Sequence, residues 1–174
     1  ILMKLAKSVG LPAEPVQQLL SKAQGKTPNF WAIFDAEAHS ASKRLYVFDI
    51  KSNSVERYLV AHGSGSDKDH NGYADKFSNE NGSLCTSLGV YRCSEPKACS
   101  NHGNEMLLVG LDSTNSRARS RAVVFHRATY VSDSYVKKNG NCGRSSGCPA
   151  VDDAVCDKLI GQLKNGSFLN IWKK

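Results

Sequence analysis

Cys148 lies in the stretch Gly143-Arg144-Ser145-Ser146-Gly147-Cys148-Pro149-Ala150-Val151, whose small residues suit a bend better than a packed core. Gly147 permits close backbone approach and Pro149 fixes the chain just beyond, so the sulfur is left accessible. Upstream, the apolar run Val123-Val124-Phe125 ends on His126. A thiol on a tight turn and an imidazole at a strand end are the two parts of a nucleophile and base pair. An ordinary cysteine has a pKa of about 8.5, so a neighbour that takes its proton decides whether it reacts at neutral pH. The expectation is that Cys148 attacks a carbonyl, His126 manages the proton, and the remaining chain presents both to a peptide.

The elements that must hold this pair are mostly strands. Phe30 to Phe34 is one apolar run, and Leu45 to Ile50 and Val55 to Ala61 form a hairpin about the turn Lys51-Ser52-Asn53-Ser54. Met106 to Leu111, Ala122 to Phe125 and Ser167 to Trp172 supply further strands. Two short helices precede them: Leu2, Leu5, Ala6 and Val9 repeat at helical spacing up to Gly10, and Val16, Leu19, Leu20 and Ala23 repeat it from Pro15 to Gly25. A later helix spans Asp152 to Leu163, with Asp152 as N-cap. The pattern predicts a mainly β catalytic domain over 29–174, with mixed sheets or a sandwich. An N-terminal helical appendage over 1–28 and a peripheral C-terminal helix complete it.

Composition narrows the class. The 174 residues carry 40% hydrophobic and 22% charged side chains, an ordinary globular balance with chain enough for a real core. A formal charge of +7 favours an anionic partner such as nucleic acid, an acidic membrane surface or an acidic wall polymer. No aromatic–basic pattern supports nucleic acid, and no run approaches the roughly 20 apolar residues of a membrane span. The opening Ile1-Leu2-Met3-Lys4-Leu5 is too short to be an intact export signal, so any such signal is expected to have been removed.

Six cysteines, at 85, 93, 99, 142, 148 and 156, point to an oxidising compartment. Cys93 and Cys99 bracket a Pro96 loop that a local bridge would close, and Cys142 and Cys156 flank the Cys148 turn and would staple it. With Cys148 free, that scheme leaves Cys85 unpaired. No C-x-x-C spacing occurs, so no metal site is expected. Asp67 to Asp75 imitates the front of a calcium loop, with Gly72 at its sixth position, but Ser78 stands where the twelfth-position glutamate belongs. It reads as an Asx-rich loop near the site.

The order of motifs resembles a known family. His126, eighteen residues (127 to 144), then Ser145-Ser146-Gly147-Cys148 is similar to the signature of YkuD-type L,D-transpeptidases. Ala61 to Trp172 resembles more closely the murein L,D-transpeptidase catalytic domain branch. The matching pieces include Ala61-His62-Gly63-Ser64-Gly65-Ser66-Asp67, Phe77-Ser78-Asn79, Thr86-Ser87-Leu88-Gly89, His102-Gly103 and Gly110-Leu111-Asp112. Two departures from the broader signature are Ser146, where a second histidine is common, and Ala150, where asparagine often stands. The first leaves His126 as the motif's only candidate base.

The resemblance implies a β-rich fold, a periplasmic or envelope location, and acyl transfer on peptidoglycan stem peptides without a cofactor. Cys148 would attack the carbonyl joining diaminopimelate to a terminal D-alanine, and the thioester would pass to an amine or to water. Backbone N–H groups around Gly147 and Cys148 are the expected oxyanion donors, and a carbonyl at Arg127 would orient the histidine. Arg144 is expected to hold a substrate carboxylate, with Tyr130, Asn141, Ser145 and Ser146 lining the pocket.

Overall fold

The hairpin expected from the turn at 51–54 forms as β2 (Leu45–Asp49) and β3 (Ser54–Tyr58), paired antiparallel with Asp49 opposite Ser54. The computed structural model describes residues 1–100 and 103–174, so His102 lies outside the described residues. The other strands are β1 (Phe30–Asp35), β4 (Gly89–Cys99), β5 (Gly103–Gly110), β6 (Val124–Ala128), β7 (Ala150–Asp152) and β8 (Phe168–Trp172). All eight join one sheet in the order β3-β2-β1-β8-β4-β5-β6-β7, in which β1–β8 and β6–β7 are the parallel pairs. The chain leaving β3 then meets the opposite edge: Ala61 N–H donates to the Ala150 carbonyl at 2.8 Å, and Gly63 bridges Ser145. The sheet thus comes close to closing on itself, and the stretch that carries Cys148 lies beside the seam.

Four helices complete the β-rich domain: α1 (Leu2–Ser8), α2 (Ala13–Ala23), α3 (Asp133–Asn139) and α4 (Asp153–Leu163). Alternation along the central strands sorts side chains between two apolar layers. Ala32 and Phe34 of β1, Leu45 and Val47 of β2, and Leu169 and Ile171 of β8 face the main core, where Leu159 and Leu163 of α4 also pack. Trp31, Ile33, Tyr46 and Phe48 face the other way, against Leu2, Leu5, Val16 and Leu19 of α1 and α2. Asn170, fully buried under α2, donates to the Pro15 carbonyl and the Gln18 side chain. Leu19 is fully buried there, so Leu19→Ala is expected to cost about 2–5 kcal/mol in a single cooperative urea transition. Separate melting of a first, small step would show instead that the helices fold apart from the sheet.

Three sequence expectations are corrected. Residues 93–99 are not a loop: they belong to the eleven-residue β4, and a register shift between Cys93 and Pro96 accommodates the proline. Cys93 and Cys99 therefore lie six residues apart along an extended strand, beyond disulfide reach. Cys142 and Cys156 sit in different apolar clusters, with Cys142 Sγ donating to the Ser40 carbonyl at 3.1 Å, and both are free thiols. His126 is the third residue of five-residue β6 rather than its end.

Candidate active site

Parallel pairing of β6 with β7 brings the histidine and cysteine to one cavity. His126 is aligned with Ala150, and His126 N–H donates to the Pro149 carbonyl at 3.3 Å. Cys148 lies two residues before Ala150, in the bend that leads into β7, and its sulfur reaches back to the head of β6. Both side chains line one open cavity of about 550 Å³. The sulfur lies at the head of β6, accepting from the Val124 N–H at 3.4 Å and lying 3.6 Å from the Ala122 carbonyl. His126 Nδ1 is 2.8 Å from the Arg127 carbonyl. Because a carbonyl only accepts, this contact places a proton on Nδ1 and leaves Nε2 as the basic nitrogen. The Arg127 guanidinium points elsewhere, pairing with Asp153 and Asp157 of α4.

Burial pushes the Cys148 thiol above its ordinary value, and a carboxylate at Glu105 adds to this, while the Val124 N–H and the Arg121 cation pull it partly back. The free site therefore holds a thiol that needs a base, not a resident thiolate.

The bend itself is rigid. Ser145 Oγ donates to the Cys148 carbonyl at 2.6 Å and accepts from the Gly147 N–H at 3.1 Å. Gly147 adopts φ +116°, and a Cβ there would fall 2.7 Å from the Cys85 carbonyl oxygen. Across from it, a Cβ on Gly63 would fall 2.2 Å from the Leu84 carbonyl oxygen and 2.8 Å from Gly147 Cα, so the two glycines let three backbone segments stack.

This arrangement revises several expected roles. The Gly147 N–H is engaged by Ser145, whereas the Cys148 N–H has no acceptor among the described residues and is left available as a donor at the bend. Ser145 is a buried brace of the turn rather than a pocket wall. Arg144 donates to the Asp67 and Lys68 carbonyls, and Asn141 donates to the His70 carbonyl. Both pin the 67–72 loop, so neither faces the groove that Tyr130 and Ser146 do line. Asp67 accepts from the N–H groups of Asn71 and Gly72 and from His62 Nε2, so its carboxylate serves its own loop.

Two supports were not evident in the sequence. His62 Nδ1 meets fully buried Arg44 at 2.9 Å, and its carbonyl accepts from Ser145 N–H, so an Arg44–His62–Asp67 chain backs the Cys148 turn. Burial and then Arg44 hold the His62 pKa down to about 4, which keeps this imidazole neutral. Arg121 is the second: its guanidinium donates to the Ser78 and Cys85 carbonyls and to the Ser83 and Ser87 hydroxyls, beside Gly147. In the sequence it is one of several closely spaced arginines, with nothing to set it apart. Arg121→Lys cannot reproduce that fork, and turnover at the thiol is expected to fall about 10²-fold through misplacement of the turn, with the fold retained. Unchanged kcat in the variant would remove Arg121 from this role.

The family model for the L,D-transpeptidase catalytic domain matches residues 8–172, and the chain belongs to that family. Among solved structures, an L,D-transpeptidase from Mycobacterium smegmatis superposes with a TM-score of 0.51 at 10% identity, covering 83% of this chain and 58% of that one. The avibactam carbamoyl enzyme of Ldtfm superposes with a TM-score of 0.50 at 11% identity, covering 85% of this chain and 50% of that one. The chain thus spans about half the length of these proteins, and the likeness is one of fold. No curated protein sequence matches it.

Proposed function

We propose that the protein is a cysteine acyltransferase acting on peptidoglycan tetrapeptide stems. The observation that carries this reading is that Cys148 and His126 line one open groove within the family's catalytic domain. Cys148 attacks the carbonyl between diaminopimelate and the terminal D-alanine while His126 Nε2 takes the thiol proton. The Cys148 N–H supports the oxyanion, and His126 returns the proton to the leaving D-alanine amine. The resulting thioester passes to an amine on a second stem, with water as the competing acceptor. Such a substrate places the protein in the periplasm or cell envelope.

Incubation with purified tetrapeptide muropeptides, read by mass spectrometry, tests this directly. A joined dimer identifies an amine acceptor, and loss of D-alanine alone identifies water. An unchanged substrate and no acyl adduct on the protein would leave a wall-binding module instead.

A further inference from the structure

The groove that holds Cys148 and His126 has a cationic rim that, among the described residues, lacks an internal partner. Lys97, exposed on β4, and Arg119, exposed on the segment leading into β6, line the same cavity as the thiol. The arginines around them are committed. Arg121 is held by four acceptors, Arg117 pairs with Glu80, and Arg127 pairs with Asp153 and Asp157. Among the described residues, neither Arg119 nor Lys97 has an acceptor or an acidic partner. Glu105 is the acid of this cavity, opposite Lys97 in the β4–β5 register, but it is nearly buried whereas both cations are exposed. The cavity is thus acidic toward its floor and basic at its mouth. A guanidinium fork held at the mouth suits a planar carboxylate, which can accept from it in two places.

We propose that Arg119, assisted by Lys97, binds a carboxylate of the donor peptide close to the bond that Cys148 attacks. This rests on the proposed reaction and supplies the anchor that Arg144, turned toward the 67–72 loop, does not. Two carboxylates of the stem share this chemistry: the C-terminal one of the expelled residue, and the side-chain one of the diaminopimelate before it.

Binding without turnover separates this proposal from the catalytic one. In a Cys148→Ala background, calorimetry with a tetrapeptide stem is expected to show a dissociation constant raised about five- to tenfold by Arg119→Gln, more at low salt than at high. Arg117→Gln, two positions from Arg119 and already paired with Glu80, is expected to leave binding unchanged. A C-terminal amide that binds the parent and Arg119→Gln equally assigns the C-terminal carboxylate; an amide on diaminopimelate that does so assigns the other. Equal binding of the unmodified tetrapeptide to the parent and to Arg119→Gln overturns the proposal, as does no binding to the parent at all. Whether Cys148 forms a thioester is read separately, from the mass of the unsubstituted protein.

Discussion

Cys148→Ala is expected to abolish acyl transfer, with a fall on the order of 10⁴–10⁶-fold, while the protein melts at the parent temperature. Among the described residues the sulfur's polar contacts are two long ones to backbone, at 3.4 and 3.6 Å, so its removal costs little structure while eliminating the thiol at the bend. The pH behaviour of the parent carries the same logic further. With the thiol above its ordinary value, thiolate is scarce at neutral pH, and alkylation of Cys148 by iodoacetamide should quicken about tenfold per pH unit up to a plateau on the alkaline side. Turnover with substrate, where His126 removes the proton in the transition state, should not need that alkaline pH. A plateau in alkylation already reached at pH 6 would mean a preformed thiolate, contrary to this account. Residual turnover in the alanine variant would remove Cys148 from the chemistry.

The largest expected effect on stability lies behind the turn, at Asp67. Removing its carboxylate in Asp67→Ala strips the acceptor from the Asn71 and Gly72 N–H groups and from His62, and takes one countercharge from buried Arg44, which keeps Asp35. Breaking a buried charged network in this way costs about 3–5 kcal/mol, which in a domain of this size lowers Tm by about 10 °C. The network also gives the parent a defined acid lability. His62 is neutral in the fold with a pKa of about 4, whereas in the unfolded chain it protonates near 6.5. Between those values the unfolded chain holds a proton that the folded one refuses. Stability therefore falls as pH drops through that window, by about 3 kcal/mol in all. Burial alone would raise the Asp67 carboxyl, but hydrogen bonds from His62, Gly72 and Asn71 outweigh it and hold it below the usual carboxylate range. Its contribution is thus present above the unfolded carboxyl value and is lost at still lower pH. Urea midpoints at pH 7 and pH 4.5, compared with those of His62→Gln, check this. A parent and variant with the same pH slope would show that His62 is not the source.

Continuous apolar runs made β1, β2 and β8 readable because these strands are buried on both faces, the turn at 51–54 marked the β2–β3 hairpin, and the 3.6-residue spacing with Asp152 as cap made α4 readable because it buries one stripe. Asp152 does accept from the Ala154 N–H. β4 escaped because Pro96 argues against a strand, and only the bulge in its pairing, a long-range feature, reconciles the two. α3 buries no residue and so leaves no periodic signal; only its Ser132 cap and the left-handed Gly140 mark it. In the site, Cys148 and His126 were visible as types at a spacing, and the histidine's carbonyl contact through Arg127 has the expected partner. The Arg144, Asn141 and Ser145 roles were misjudged because proximity along the chain does not say which way a side chain turns. Arg44 and Arg121 act across gaps of eighteen residues or more, to His62 and to the 78–87 loop, and no local pattern encodes such reach.

The alignment of His126 with Ala150 decides which lengths in this chain are free to change. The eighteen residues between the histidine and Ser145 run through α3 and loops, so insertions about Asn139 to Asn141 should lengthen an excursion without moving either reacting atom. One residue inserted between Cys148 and Ala150 would instead displace the bend that carries the thiol from the register β7 holds with His126. A search for distant proteins built this way should therefore let the long interval drift and hold the two-residue step constant.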